Sequence, residues 1–362
     1  MPTSLSKTAL LLIIAFAVFA GLYFAKPFLV PLAIAAILSM LFFPLASRFE
    51  RNGFSRGLSS FTCLLIFILF IGGIIALISW QISDLAKDFT GMEEKITSGI
   101  NKLKQTLSDT FGVSPQKQEE MMKKQQESGS SGAGKIVLGL MSSMMGILVD
   151  TILVWVYIFL LMFYRRHLKL FILKLVPADE KTKATKVIYS AAQVAQRYVS
   201  GLGMMIVLLW IMYGIGFSIA GVKNAIFFAI LCGVLEVIPF VGNIAGTAIT
   251  LLMALTQGSG STIIIGILIT YALVQFIQSY IIEPLVVGSE VNINPLFTII
   301  AIVLGEAVWG IPGLILAIPL LGIFKIICDN VEPLKPYGFL IGEEKKKKTN
   351  GGLIEKVKGW FK

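Results

Sequence analysis

Long apolar segments separated by short polar ones run along most of the chain, and this pattern predicts an all-α membrane protein. A helix needs about 17 to 25 apolar residues to cross a hydrocarbon core of about 30 Å. Six segments have that length, and each is expected to form a full transmembrane helix. They cover residues 8–25, 27–46, 57–81, 147–164, 198–221 and 262–282. Only Lys26 separates the first two segments, so we expect a tight hairpin between them.

Two further apolar segments are broken, and the first break holds a carboxylate. The two halves of this segment are residues 225–240 and 242–256. The break lies where they meet and contains Glu236, Pro239, Gly242 and Asn243. Pro239 lacks a backbone N–H and clashes with the preceding turn, so a helix is expected to end or kink near it. Each half has about 15 residues, or about 23 Å of helix, which is too short to span alone. The pattern predicts either one kinked crossing or a re-entrant hairpin, and we favour the hairpin.

The same design recurs within residues 295–327. There Glu306 lies beside a second break, which is formed by Gly310, Pro312 and Gly313. Paired interruptions are typical of transporter binding sites, because unwound backbone exposes carbonyls and helix ends to a bound ion or substrate. A packing kink is the alternative interpretation of either break alone. The pairing, with a glutamate at each break, favours a polar pathway near the middle of the membrane.

The charge of the polar segments predicts their side of the membrane. Residues 83–135 carry eight basic and eight acidic residues, whereas residues 165–197 carry eight basic and two acidic ones. Because strongly basic loops stay in the cytoplasm, we predict the second segment inside, the first outside and both termini cytoplasmic. Apolar residues from Ile82 to Phe111 recur at about 3.6-residue spacing, which predicts an extracytoplasmic amphipathic helix.

These features divide the chain into six predicted parts. The first three transmembrane helices occupy residues 1–82, the external segment 83–135, the fourth helix 136–164, the basic cytoplasmic segment 165–197, a transport core 198–328 and a cytoplasmic tail 329–362. The tail is expected to end in a small interfacial helix that contacts membrane lipid, because apolar residues and lysines alternate there on a helical period.

The composition excludes several classes of protein. The 362 residues are 56% hydrophobic and 14% charged, with a mean hydropathy of +0.83, which a soluble domain of this length does not show. The net charge is +10, but the basic residues lie in short segments beside apolar ones and in the tail. This arrangement is typical of membrane orientation, so nucleic-acid binding is discounted. The three cysteines lie in or at the end of apolar segments, and the single histidine, His167, follows two arginines. We therefore expect no metal site, no cofactor and no enzyme active site.

Motifs in the C-terminal half resemble those of the autoinducer-2 exporter family of bacterial membrane proteins. They are residues 238–242 (IPFVG), 282–288 (IEPLVVG), Asn294-Pro295 and 309–319 (WGIPGLILAIP). The resemblance implies a homo-oligomeric transporter in the bacterial inner membrane. It also implies as cargo either the furanone signal autoinducer-2 or sodium or lithium exchanged for protons. The chain departs from the family at Glu236, where asparagine is frequent.

Two transport hypotheses and one hypothesis from another class follow. The first is a secondary transporter that exports a small polar solute such as an autoinducer-2-type signal, since no Gly-x-x-x-x-Gly-Lys-Ser/Thr motif for ATP occurs. The second is a sodium or lithium/proton antiporter. The third is a membrane scaffold that transports nothing, against which the paired breaks count.

The antiporter hypothesis assigns the proton to intramembrane carboxylates, for which Glu236, Glu283 and Glu306 are the candidates. Glu306 is expected to be more sensitive than Glu236, because the glycines around it permit close backbone approach to an ion. Glu283 precedes Pro284 just after the sixth predicted span, and a solvated loop residue is an equal interpretation of that position.

Overall fold

The computed structural model describes residues 4–88, 133–238, 241–256, 260–282 and 293–343. Within these ranges the chain is almost entirely helical, and the only extended pairing is an isolated antiparallel bridge between Ile293 and Gly342. The predicted all-α membrane fold is therefore confirmed. Most of the predicted external helix lies outside the described residues and stays a prediction.

Four long helices form the N-terminal half of the described chain. They are α1 (Ser4–Phe24), α2 (Lys26–Arg51), α3 (Arg56–Asp88) and α4 (Ala133–Lys174). Apolar side chains of α2, α3 and α4 pack around Ala35, Cys63 and Ile158, which are fully buried. At one end of this bundle the Arg165 guanidinium of α4 donates to both carboxylate oxygens of Glu50 on α2 at 2.6 Å. This ion pair holds α4 level with the C-terminal end of α2.

The expected hairpin between the first two segments is wrong. The Ala25 N–H donates to the carbonyl of Gly21 at 2.9 Å, and the Ala25 carbonyl accepts from the N–H of Leu29 at 2.9 Å. These bonds close the last turn of α1 and the first turn of α2, and Ala25 between them has φ −83° and ψ 6°, so this single joining residue bends the chain without reversing it. Pro27 lies in the first turn of α2, where its missing N–H leaves no intrahelical bond unmade.

The C-terminal half contains seven α-helices among its described residues. They are α5 (Lys181–Ile219), α6 (Ala225–Leu235), α7 (Val241–Thr256), α8 (Ser261–Ile277), α9 (Pro295–Trp309), α10 (Ile311–Asn330) and α11 (Lys335–Ile341). A π-helical turn, Gln278–Ile282, continues α8. Helix α5 begins within the predicted basic cytoplasmic segment and continues without a break through nearly all of the fifth predicted span.

Five helices of the described chain are long and apolar enough to cross a membrane. They cover Lys26–Arg51, Arg56–Trp80, Ala178–Ile219, Ser261–Ile282 and Ile311–Asn330. The last was expected to be a short half-helix, but it has 20 residues and a length of about 30 Å. The reason is that Pro312 lies in its first turn and therefore does not interrupt it.

Helix α5 packs against both broken segments. Leu209, Tyr213 and Phe217 are fully buried in one apolar cluster with residues of α6, α7 and α8. Nearer its start, Ala195 packs in a second cluster with Ile37 of α2 and Leu316 of α10. The two broken segments therefore meet different stretches of α5.

Candidate functional site

The first broken segment is an antiparallel helical hairpin. A Cβ on Gly242 of α7 would collide with the backbone carbonyl of Leu235 at the end of α6. One turn further along α7, a Cβ on Gly246 would lie 2.9 Å from the Cα atom of Cys232 on α6. Because the later position on α7 meets the earlier position on α6, the chain reverses direction across the break. The preference for a hairpin over a kinked crossing is confirmed here.

The second broken segment, α9 and α10, reverses in the same way. A Cβ on Gly313 would collide with the backbone carbonyl of Gly305, and a Cβ on Gly305 would lie 3.3 Å from the Cβ of Ala317. Gly310 joins the helices at φ +67° and ψ −142°, a conformation that residues with side chains rarely adopt. Both breaks therefore use glycine for close contact between helices, and the second also uses it for the turn.

A buried polar cluster lies against the first hairpin. Glu236, at the end of α6, is 6% exposed and accepts a hydrogen bond of 2.7 Å from Nε2 of Gln278. Asn243, at the start of α7, is 5% exposed and donates to Oε1 of Gln275. The Gln275 amide in turn donates to the hydroxyl of Ser279 at 3.0 Å. The carboxylate and the amide of the break are thus both held by side chains from the end of α8.

The π-helical turn contributes the hydrogen-bond partner of Glu236. Gln278 is its first residue, and its side chain is 4% exposed. Such turns are rare and frequently occur at functional sites. Sequence reasoning missed Gln275 and Gln278, although three polar residues close together near the end of an apolar span are a signal that can be read.

Several polar atoms of this cluster are available to a ligand. Oδ1 of Asn243 and Oε1 of Gln278 are buried without a hydrogen-bond partner. The hydroxyls of Tyr213 on α5 and Thr247 on α7 are also buried, and they lie close to each other. Buried polar atoms are normally paired, so a cluster of this kind suits water, a polar solute or a cation.

The other predicted site residues lie elsewhere. The Glu306 side chain is exposed on α9, Gly313 is buried against Gly305, and Pro312 is half-buried. Pro239, Glu283 and Pro284 lie outside the described residues. The α9–α10 hairpin packs against α1, α2 and α5, whereas the α6–α7 hairpin packs against α3, α5 and α8. In the described part of the chain, Glu236 and Glu306 therefore do not share one polar pocket.

The turn of the second hairpin rests on the junction of α1 and α2. The Trp309 indole donates to the carbonyl of Leu22 at 3.0 Å. The Lys26 ammonium lies 3.6 Å from the place that a Cβ on Gly310 would occupy. The junction of α1 and α2 thus positions this turn, which the sequence alone did not indicate.

Comparison with known proteins identifies the family. A family model described as "AI-2E family transporter" matches residues 12–332. The chain belongs to the AI-2E family of transporters. Three members align over most of their length, YrrI and YueF of Bacillus subtilis (strain 168) and PerM of Escherichia coli (strain K12), and each is 25% identical to the chain. Their names describe two transport proteins and a permease.

The alignments with these AI-2E proteins cover most of both chains in each pair. YrrI aligns with 83% of this chain and 86% of its own length, and YueF with 83% of each. PerM aligns with 88% of this chain and 91% of its own length. Together with the apolar helices, this family membership supports a multi-pass membrane protein of a transporter family.

Proposed function

We propose that the protein is a secondary transporter that exports a small polar solute, such as an autoinducer-2-type signal, past the α6–α7 hairpin. The observation that carries this proposal is the buried hydrogen bond between Glu236 and Gln278. A carboxylate is expensive within a membrane protein and is retained there mainly for function. Around it, the amides of Asn243 and Gln275 offer both donors and acceptors, which is the chemistry that selects a polar solute.

Sodium or lithium/proton antiport is the second candidate. The cluster supplies oxygen atoms from one carboxylate and from the side-chain amides of Asn243 and Gln278. Oxygen ligands of this kind suit a hard monovalent cation, and a carboxylate in a poorly solvated place can release that cation when it takes a proton.

Localisation and assembly belong to the same proposal. We place the protein in a bacterial inner membrane as a homo-oligomer, with the basic segment and the C-terminal tail in the cytoplasm. The expectation that the N-terminus is also cytoplasmic depended on a reversal at Lys26. Because the chain does not reverse at Ala25, we infer that the N-terminus lies on the side of Lys26, opposite the Arg51 end of α2.

Reconstitution into liposomes tests the proposed function. A pH gradient and a sodium gradient are imposed separately, while the flux of an autoinducer-2-type solute and the internal pH are followed. Glu236→Gln is compared with Glu306→Gln, which makes the same change at an exposed position on α9.

The two candidates predict different outcomes. For solute export, Glu236→Gln retains part of the flux, because an amide still hydrogen-bonds a neutral solute. For antiport, Glu236→Gln abolishes sodium-driven proton movement, because an amide cannot exchange a proton. Wild-type protein that moves neither the solute nor protons in response to either gradient would overturn both.

A further inference from the structure

Helix α4 continues past the level at which α2 ends. Arg165 of α4 pairs with Glu50 near the C-terminal end of α2, and Arg51 and Arg56 flank the loop that follows. Charged side chains are costly in hydrocarbon, so this level marks the membrane interface. From there α4 runs nine residues further, to Lys174, a distance of about 14 Å. The extension therefore begins at the membrane interface.

One face of this extension is apolar and exposed. Leu168, Phe171 and Ile172 have the i, i+3, i+4 spacing that places residues on one face of a helix, and Leu175 follows directly after the helix ends at Lys174. Their exposed fractions are 40%, 57%, 43% and 68%. We call these four residues the apolar stripe. A contiguous apolar surface of this kind outside the hydrocarbon core marks an interaction site.

The charge around the apolar stripe indicates what covers it. The extension and the start of α5 carry six basic residues, namely Arg166, Lys169, Lys174, Lys181, Lys183 and Lys186. Only Asp179 and Glu180 oppose them within residues 165–197. A second copy of the chain would bring the same positive charge to this surface, and the chain's own tail is also basic at residues 345–348. The complementary partner is an anionic surface.

We infer that the α4 extension is an interfacial foot, which inserts the apolar stripe among the headgroups of anionic lipids. A membrane interface accepts both parts of such a helix, since apolar side chains enter the acyl boundary while lysine and arginine side chains reach the lipid phosphates. The foot would hold the basic face of the protein against the cytoplasmic leaflet. This inference does not depend on the proposed cargo.

Site-directed spin labelling of the full chain in nanodiscs tests the foot. The three native cysteines are buried, so a nitroxide reagent reacts with cysteines introduced at Leu168, Phe171 or Leu175. Leu170→Cys is the matched control, because Leu170 is exposed on the same extension but points to the opposite face. In phosphatidylcholine discs with added phosphatidylglycerol, labels on the stripe should collide several-fold more with oxygen than with a water-soluble nickel complex. The label at position 170 should show the reverse.

Charge removal adds a second, independent readout. Lys174→Gln, Lys181→Gln and Lys183→Gln together should lower the depth of the stripe labels towards the value found without phosphatidylglycerol. The same number of lysine-to-glutamine changes at residues 345–347 should not. Equal nickel accessibility at positions 168 and 170 would overturn the inference. So would spin–spin broadening of stripe labels that disappears on mixing with unlabelled protein, because it would assign the surface to a second copy.

Discussion

Glu236 has the environment that most restricts how the transporter can work. Its side chain is 6% exposed and is held by the Gln278 amide, whereas Glu306 is exposed on α9. A buried carboxylate is tolerated only when its oxygens are hydrogen-bonded, so the fold has to supply that partner. The sequence ranked Glu306 as the more sensitive position. Burial is a reason to rank Glu236 first, and the paired glutamine substitutions described above decide between them.

Replacing the partner of Glu236 should affect both transport and stability. Gln278→Leu removes the amide that donates to the carboxylate, and an interhelical hydrogen bond of this kind in a membrane protein is worth about 0.6 to 2 kcal/mol. We expect a lower initial transport rate in liposomes and a lower melting temperature in detergent.

Tyr280→Phe is the control for Gln278→Leu. It also removes a polar atom from the π-helical turn, but at a side chain that is 73% exposed. It should behave as wild type in both measurements. If Gln278→Leu also behaves as wild type, the hydrogen bond to Glu236 contributes nothing to the site.

At the scale of the elements, glycine contacts decide how the two hairpins close. Gly305 and Gly313 bring the backbones of α9 and α10 into direct contact, and Gly242 does the same for α6 and α7. A side chain at any of these positions would have to displace backbone rather than another side chain. The hairpins are therefore built on positions that accept no Cβ without a shift of a whole helix.

A methyl group at this contact should separate α9 from α10. Gly313→Ala is expected to destabilise the protein by about 1 to 3 kcal/mol through overpacking, and to lower its melting temperature and transport rate. Gly72→Ala on α3 is the matched control, because nothing lies within 4 Å of a Cβ built there. That control should leave stability unchanged or raise it by up to about 1 kcal/mol, since alanine favours a helix. A Gly313→Ala protein as stable as the Gly72→Ala protein would show that the hairpin tolerates a wider spacing.

At the scale of the whole molecule, α5 joins the parts of the fold. It packs against the N-terminal bundle through α2, against the first hairpin through α6, and against the second through α10. Its first part carries the basic residues of the predicted cytoplasmic segment, and its second part forms the wall of the polar cluster. A tilt of α5 would therefore change the packing of both hairpins together.

Cysteine labelling in intact cells tests the arrangement across the membrane. Single cysteines are placed at Ser4, Ser130 and Thr182 in protein lacking the native ones, and a thiol reagent that cannot cross the membrane is added outside. We expect labelling at Ser130, from the charge balance of its segment, and at Ser4, because the chain does not reverse at Ala25. Thr182 should be protected until the cells are opened. Protection of Ser4 together with Thr182 would mean that the chain reverses near Lys26 after all.

The sequence by itself determined the class of protein, the positions of the apolar helices and the places where they break. These depend on local properties, namely the length of an apolar run and the geometry of proline and glycine. It also indicated Glu236 and Asn243 as residues of a candidate site, because each is conspicuous in an apolar segment.

Only the tertiary structure decided the direction of the chain at each interruption and the partners of each polar side chain. The chain continues at Ala25 and reverses between Leu235 and Gly242, although both places hold a proline, because reversal requires two helices that can approach closely and pack. Glu236 and Gln278 are 42 positions apart in the sequence, and their contact follows from the packing of α8 on the hairpin. No local pattern encodes that distance, since it depends on how the side chains of several helices fill one space.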